Sequence, residues 1–223
     1  MNIDEIHDYL VQNSDTKYRN FQKKLIFTKS DILGVKMNVL KELAKRLANQ
    51  DINLPYGKYL EYDFLNGLMI SYKKCDLEEK LYNLMQYSLT IDNWGTCDTV
   101  VCSTKFKDKE LDIVFNYVKG ILNLDSNYSK RFGVIFLMKY FIDYDQEIIF
   151  DLLKDLPYGD YYLDMGVAWY YSVLLAKNYD LGLKYVLKFK DISTFVYKKS
   201  IQKAIESFRV SKEHKEELKR LRK

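Results

Sequence analysis

Two prolines and nine glycines in 223 residues are too few for a chain of many strands and tight turns. Histidine is almost missing. His7 and His214 stand near opposite ends, which argues against a His-based triad or a His-rich metal site. No Gly-rich phosphate loop, HExxH or CxxC pattern occurs, so no cofactor and no metal are expected. Cys75, Cys97 and Cys102 are odd in number and lack metal-type spacing, which excludes a simple disulfide framework and suggests a reduced, cytoplasmic setting. The longest apolar segment, Phe132 to Met138, falls far short of the roughly 18 residues of a membrane span. Met1-Asn2-Ile3-Asp4-Glu5 is acidic where a secretory leader would be basic, so no leader and no membrane partner are expected.

Helical periodicity fills the space those absences leave. Apolar residues recur at three- and four-residue steps in residues 36–50 (Val39, Leu40, Leu43, Leu47, Ala48) and 56–74 (Leu60, Phe64, Leu65, Leu68, Met69). The same spacing runs through residues 107–122 (Leu111, Val114, Phe115, Val118, Ile121, Leu122) and 192–208 (Ile201, Ala204, Ile205, Phe208). Pro55 and Pro157 fall between periodic segments, where they end one helix and admit the next. Asp92, Ser126 and Ser211 are expected N-caps. The last residues, Leu218 to Lys223, are expected to fray. About a dozen helices joined by short connectors predict an all-α chain of residues 1–223, either helix pairs stacked into a solenoid or a compact bundle.

The charge is unevenly spread. Residues 17–46 hold nine Lys/Arg against two acids, and residues 198–223 hold ten against four, leaving the remainder acidic. Two basic segments on an acidic chain suggest a surface that faces a polyanion, although basic helix faces are also commonly just solvated. Trp94 and Asp98 are four residues apart, which puts an indole and a carboxylate on one helix face. That pair suits a cationic ligand, and equally suits a core tryptophan above a salt-bridging acid. Arg131 opens an intensely apolar helix and needs either an anionic partner or a groove edge, and Trp169, the second tryptophan, sits in an aromatic cluster.

These residues form an ordered series that resembles the AlkD-like DNA alkylation repair family. The likeness runs from Tyr18-Arg19-Asn20-Phe21-Gln22 and Gly34-Val35-Lys36 through Glu61, Gly67-Leu68-Met69-Ile70 and the Asp92-to-Ser103 block. It continues in Lys130-Arg131-Phe132-Gly133, Ala168-Trp169 and Lys203-Ala204-Ile205-Glu206-Ser207. The resemblance implies a HEAT-like α-solenoid of stacked antiparallel helix pairs with a concave basic face. It also implies a monomer acting on duplex DNA that carries alkylated bases. Asp98 matches the family's catalytic carboxylate, Trp94 and Trp169 the tryptophans that flank the lesion, and Arg131 the arginine on the DNA backbone beside it.

An alkylpurine DNA glycosylase of this kind needs neither histidine nor metal. Alkylation at N3 or N7 leaves the purine cationic and its bond to the sugar weak. A carboxylate near the charge that develops on the deoxyribose stabilises the transition state more than the ground state. Lys199 and Lys203 in the second basic segment are candidate DNA contacts. The chain departs from the family pattern at Tyr128, where active relatives often carry tryptophan, and at Tyr170-Tyr171-Ser172, where they usually show an arginine. A DNA-binding relative without catalysis and a helical protein-binding scaffold are the alternative readings.

Overall fold

The computed structural model describes residues 1–222, and among them the secondary structure is helical with no strand. The contacts divide the chain into two compact units that meet within α7, the first ending at Val114 and the second starting at Phe115.

The first unit contains α1 (Ile3–Gln12), α2 (Thr16–Leu25), α3 (Met37–Leu47), α4 (Leu60–Tyr72), α5 (Leu77–Ser88) and α6 (Trp94–Ser103). A short 3-10 turn (Asp108–Glu110) leads into α7 (Leu111–Leu122). Helix α4 is its centre and packs against α3, α5 and α6. That position explains why α4 lacks a polar face: Glu61, Tyr62, Phe64, Leu65, Asn66, Gly67, Leu68 and Met69 are all buried. Gly67 lets α6 approach, since a Cβ there would lie 2.3 Å from Val100 Cγ2 and 2.5 Å from Tyr87 Cζ.

The second unit comprises most of α7 with α8 (Asn127–Tyr140), α9 (Gln146–Lys154), α10 (Tyr161–Lys177), α11 (Tyr179–Ile192), α12 (Thr194–Glu206) and α13 (Lys212–Leu221). Here α10 is central, in contact with α8, α11 and α12. Its core is aromatic: Phe132 meets Phe136 edge-on at 5.0 Å, and Tyr171 lies 4.9 Å from Phe189. Gly182 permits the close approach of α11 to α10, because a Cβ there would sit 2.7 Å from the Leu175 backbone.

Most of the expected boundaries hold. Pro55 and Pro157 lie in the connectors before α4 and α10. Ser126 accepts from the Ser129 amide, and Ser211 from the His214 amide. Three expectations need correction. The cap of α6 is Asn93, whose side chain accepts from Thr96 N at 3.0 Å; Asp92 is drawn away by a distant partner described below. The periodicity through 192–208 is broken at Ser193, which caps α12, and α12 ends at Glu206, so Phe208 stands in a turn, fully exposed. The C-terminal helix is anchored to Leu221 rather than frayed. Leu218 is fully buried and the Tyr197 hydroxyl donates to the Leu221 carbonyl at 2.6 Å. Of the stretch expected to fray, Lys223 lies outside the described residues.

Candidate functional site

Helix α6 is short and nearly buried all round; Gly95, Thr96, Cys97, Asp98, Val100, Val101 and Ser103 are buried. Trp94, Asp98 and Cys102 follow one another at four-residue steps along one face. Trp94 is half-buried, with its ring against the first unit's apolar core. Its indole N–H donates to the Leu25 carbonyl at 2.9 Å. That bond satisfies the ring's single polar atom and leaves its π surface as the remaining means of interaction. Asp98, one turn on, is 9% exposed. Gly95 brings the first turn of α6 onto the segment after α2, where a Cβ would press Ile26 Cδ1 at 3.0 Å.

That segment is clasped at a second point. The Asp92 carboxylate accepts from the Thr28 hydroxyl at 2.9 Å and from the Lys29 amide at 2.8 Å, and Asn93 Nδ2 donates to it at 2.8 Å. Thr28 in turn accepts from the Ser30 amide, and the Ser30 hydroxyl donates to Asp63 at 2.6 Å. Burial pushes the Asp63 carboxyl above its ordinary 3.8; the Ser30 and Gly57 hydrogen bonds oppose that rise, and the nearby Asp92 and Glu61 add to it.

Glu61 completes the framework. Fully buried, it accepts from the amides of Leu33 (3.0 Å), Gly34 (2.8 Å) and Val35 (3.2 Å). These bonds fold the loop before α3 around one carboxylate. Gly34 is required there: its φ is +94°, and a Cβ would lie 2.6 Å from the Asp15 carbonyl. Gly34 and Val35, 27 and 26 residues from Glu61 in the sequence, thus form one unit with it, a buried acid and the turn it binds.

The other sequence-predicted residues belong to the second unit. Arg131 on α8 is 5% exposed, and its Nη1 donates to the Tyr162 carbonyl in the first turn of α10 at 2.5 Å. Gly166 makes room for it, since a Cβ there would stand 3.2 Å from Arg131 Cγ. Tyr128, a turn before Arg131, has its ring 5.3 Å from that of Tyr162. Trp169 is half-buried on α10, whose next residues, Tyr170 and Tyr171, are buried. Lys130 donates to the Leu124 carbonyl. On α12, Lys199 and Lys203 are half-buried; Lys199 Nζ is 3.2 Å from Gln202 Oε1 and 5.9 Å from the Phe195 ring centre.

Trp94 and Asp98 thus share α6 in the first unit. Arg131 and Trp169 sit on two packed helices of the second, and Lys199 and Lys203 on a third helix packed against α10. Spacing alone did not reveal Asp92 as the clasp. Its partners are 63 and 64 residues away, and no local pattern encodes them. Among the described residues no His, Cys, Asp and Glu group could hold a metal ion, and no helix is long and apolar enough to cross a membrane.

The fold and the residues of α6 define the class: an all-helical protein of packed helix pairs that presents a tryptophan and a carboxylate from one helix. The family model described as DNA alkylation repair enzyme matches residues 6–159, more than half of the chain, and the protein belongs to that family. No curated protein matches the sequence.

Proposed function

We propose that the protein is a DNA glycosylase that releases cationic alkylated purines, of the 3-methyladenine and 7-methylguanine kind, from duplex DNA. The observation that carries this reading is Trp94 and Asp98, one turn apart on α6, within a chain of the DNA alkylation repair family. In the reaction the C1′–N bond breaks and its electron pair leaves on the purine, cancelling the positive charge there. Water adds to C1′ and gives up a proton. Asp98 stabilises the positive charge that builds on the deoxyribose and orients the incoming water. The indole faces of Trp94 and Trp169 favour a cationic base over a neutral one by about 0.5–2 kcal/mol each. Arg131 engages the DNA backbone, and Lys199 and Lys203 add salt-sensitive affinity.

The direct experiment measures free 7-methylguanine and 3-methyladenine released from methylated duplex DNA. Wild type is expected to release base and Asp98→Asn to lose release while still binding duplex. No release by wild type, with Asp98→Asn indistinguishable from it, overturns catalysis.

A second reading, duplex binding without base release, is favoured by the turn after Trp169. Tyr170 and Tyr171 are buried and supply no cation where active relatives usually have an arginine. It predicts steeply salt-dependent DNA binding by both wild type and Asp98→Asn, with no free base from either.

A further inference from the structure

Segment 16–30 contains Lys17, Arg19, Lys23, Lys24 and Lys29 and no acidic residue. Helix α2 buries only Gln22, and Phe21 and Leu25 are exposed on it. The next aromatic residue, Phe27, is 69% exposed. Leaving a phenylalanine ring in water forgoes the stabilisation its burial would bring. A loose loop could fold such a ring away, but here the backbone is held on both sides of it. Leu25 is tied through its carbonyl to the Trp94 indole, and Thr28 and Lys29 are tied to the Asp92 carboxylate. Both anchors belong to the turn that starts α6. Phe27 is therefore presented outward from the same turn that places Trp94. It lines a shallow cleft together with Lys23, Ile26, Thr28, Ser30, Ile32 and one acid, Asp31, which follows the basic segment in the sequence.

We infer that Phe27 is a further DNA contact of the Trp94 site. Its ring packs against the deoxyribose of a duplex strand whose phosphates Lys23, Lys24 and Lys29 bind. The inference rests on the duplex-binding reading above and adds a specific residue to it. The case for this partner is charge complementarity together with shape. None of these three lysines is within ion-pairing distance of a carboxylate among the described residues, so their charge is available to an external anion. A duplex strand alternates phosphate with the apolar face of deoxyribose, within reach of neighbouring side chains. A surface of anionic phospholipid, which would take the ring into its acyl region, is the competing outcome of the test below.

The test uses the full chain and a fluorescein-labelled duplex, with binding read by anisotropy over a range of salt concentrations. Phe27→Ser is expected to weaken binding about tenfold at every salt concentration without changing the salt slope, because an aromatic contact releases no counterions. Lys23→Ala and Lys24→Ala are expected to flatten the slope by about one each. Phe27→Trp is expected to keep wild-type affinity and to lose more emission on adding duplex than wild type, whose only tryptophans are Trp94 and Trp169. Wild type that binds duplex while Phe27→Ser binds equally well overturns this inference and leaves the duplex-binding reading standing. An emission loss in Phe27→Trp no greater than that of wild type on saturation with duplex does the same. Wild type that binds no duplex at low salt overturns both, as does wild type that ignores duplex but binds vesicles of anionic phospholipid.

Discussion

The indole nitrogen of Trp94 and the carbonyl of Leu25 are joined by a 2.9 Å hydrogen bond across 69 residues of sequence. This bond fixes the ring about its own axis and ties the end of α2 to the start of α6. Trp94→Phe keeps an aromatic body in the same place but removes the donor, leaving the Leu25 carbonyl short of one partner. The loss is expected to be about 1 kcal/mol in denaturant unfolding, with faster hydrogen exchange confined to residues 25–30. Equal exchange in the two proteins would show that the bond contributes nothing to holding that segment.

Asp92 carries more of the clasp than Trp94, because it accepts from a hydroxyl and an amide on one distant turn. Asp92→Ala is expected to cost about 1–3 kcal/mol, as it removes a charged acceptor and leaves the Lys29 amide and Thr28 hydroxyl unsatisfied. Asp92→Asn retains one oxygen acceptor and is expected to lose less. Thermal or denaturant melts of the two variants beside wild type decide the order.

Gly67 reports on the crossing of α4 and α6. Its missing Cβ is what separates 2.3 Å from an acceptable contact with Val100. Gly67→Ala is expected to destabilise by about 1–3 kcal/mol through overpacking, and Gly67→Ala combined with Val100→Ala to recover part of that. Additive losses in the double variant would place the strain elsewhere.

Asp63 gives stability a pH dependence of definite sign. Its folded pKa is raised above the ordinary 3.8, chiefly by burial. The folded state therefore holds this proton more tightly than the unfolded state. Stability contributed by protonated Asp63 is full below 3.8 and is lost as pH rises through the folded value. Relative to Asp63→Asn, wild type is expected to lose stability as pH climbs from 3.8 through that range and then level off. Because Asp92 adds to the rise, Asp92→Asn is expected to narrow the window. Parallel melts across acid to neutral pH test both points.

Lys199 and Lys203 lie one turn apart on α12, half-buried in a basic segment. If each neutralises one DNA phosphate, replacing both by Gln is expected to reduce the slope of log affinity against log salt by about two. The change should be the same for methylated and unmethylated duplex. A loss restricted to methylated DNA would instead assign these lysines to lesion reading.

The helices, their approximate ends and the common face of Trp94 and Asp98 were legible without coordinates. Leu40, Leu43 and Leu47, or Val114, Val118 and Ile121, state their own buried face because a helix repeats every 3.6 residues. Ser126 and Ser211 cap as expected because a cap's partner is only two or three residues away. The α6 start shows the limit of such reasoning. Asp92 and Asn93 are both good caps, and the choice between them depends on Thr28 and Lys29. The exposed Phe208 makes the same point, since its apolar spacing continues a helix that the chain leaves at Glu206.

Local order, then, is written in short-range spacing: backbone hydrogen bonds and side-chain faces within a few residues determined that this chain is helical and that an indole and a carboxylate share one helix. Tertiary structure alone decided that Asp92 is a clasp, that Arg131 is buried against a carbonyl of α10, and that Phe27 stays in water. Each of those outcomes rests on desolvation and hydrogen bonding between groups far apart in the chain. Their free energies exist only once the helices have brought those groups together.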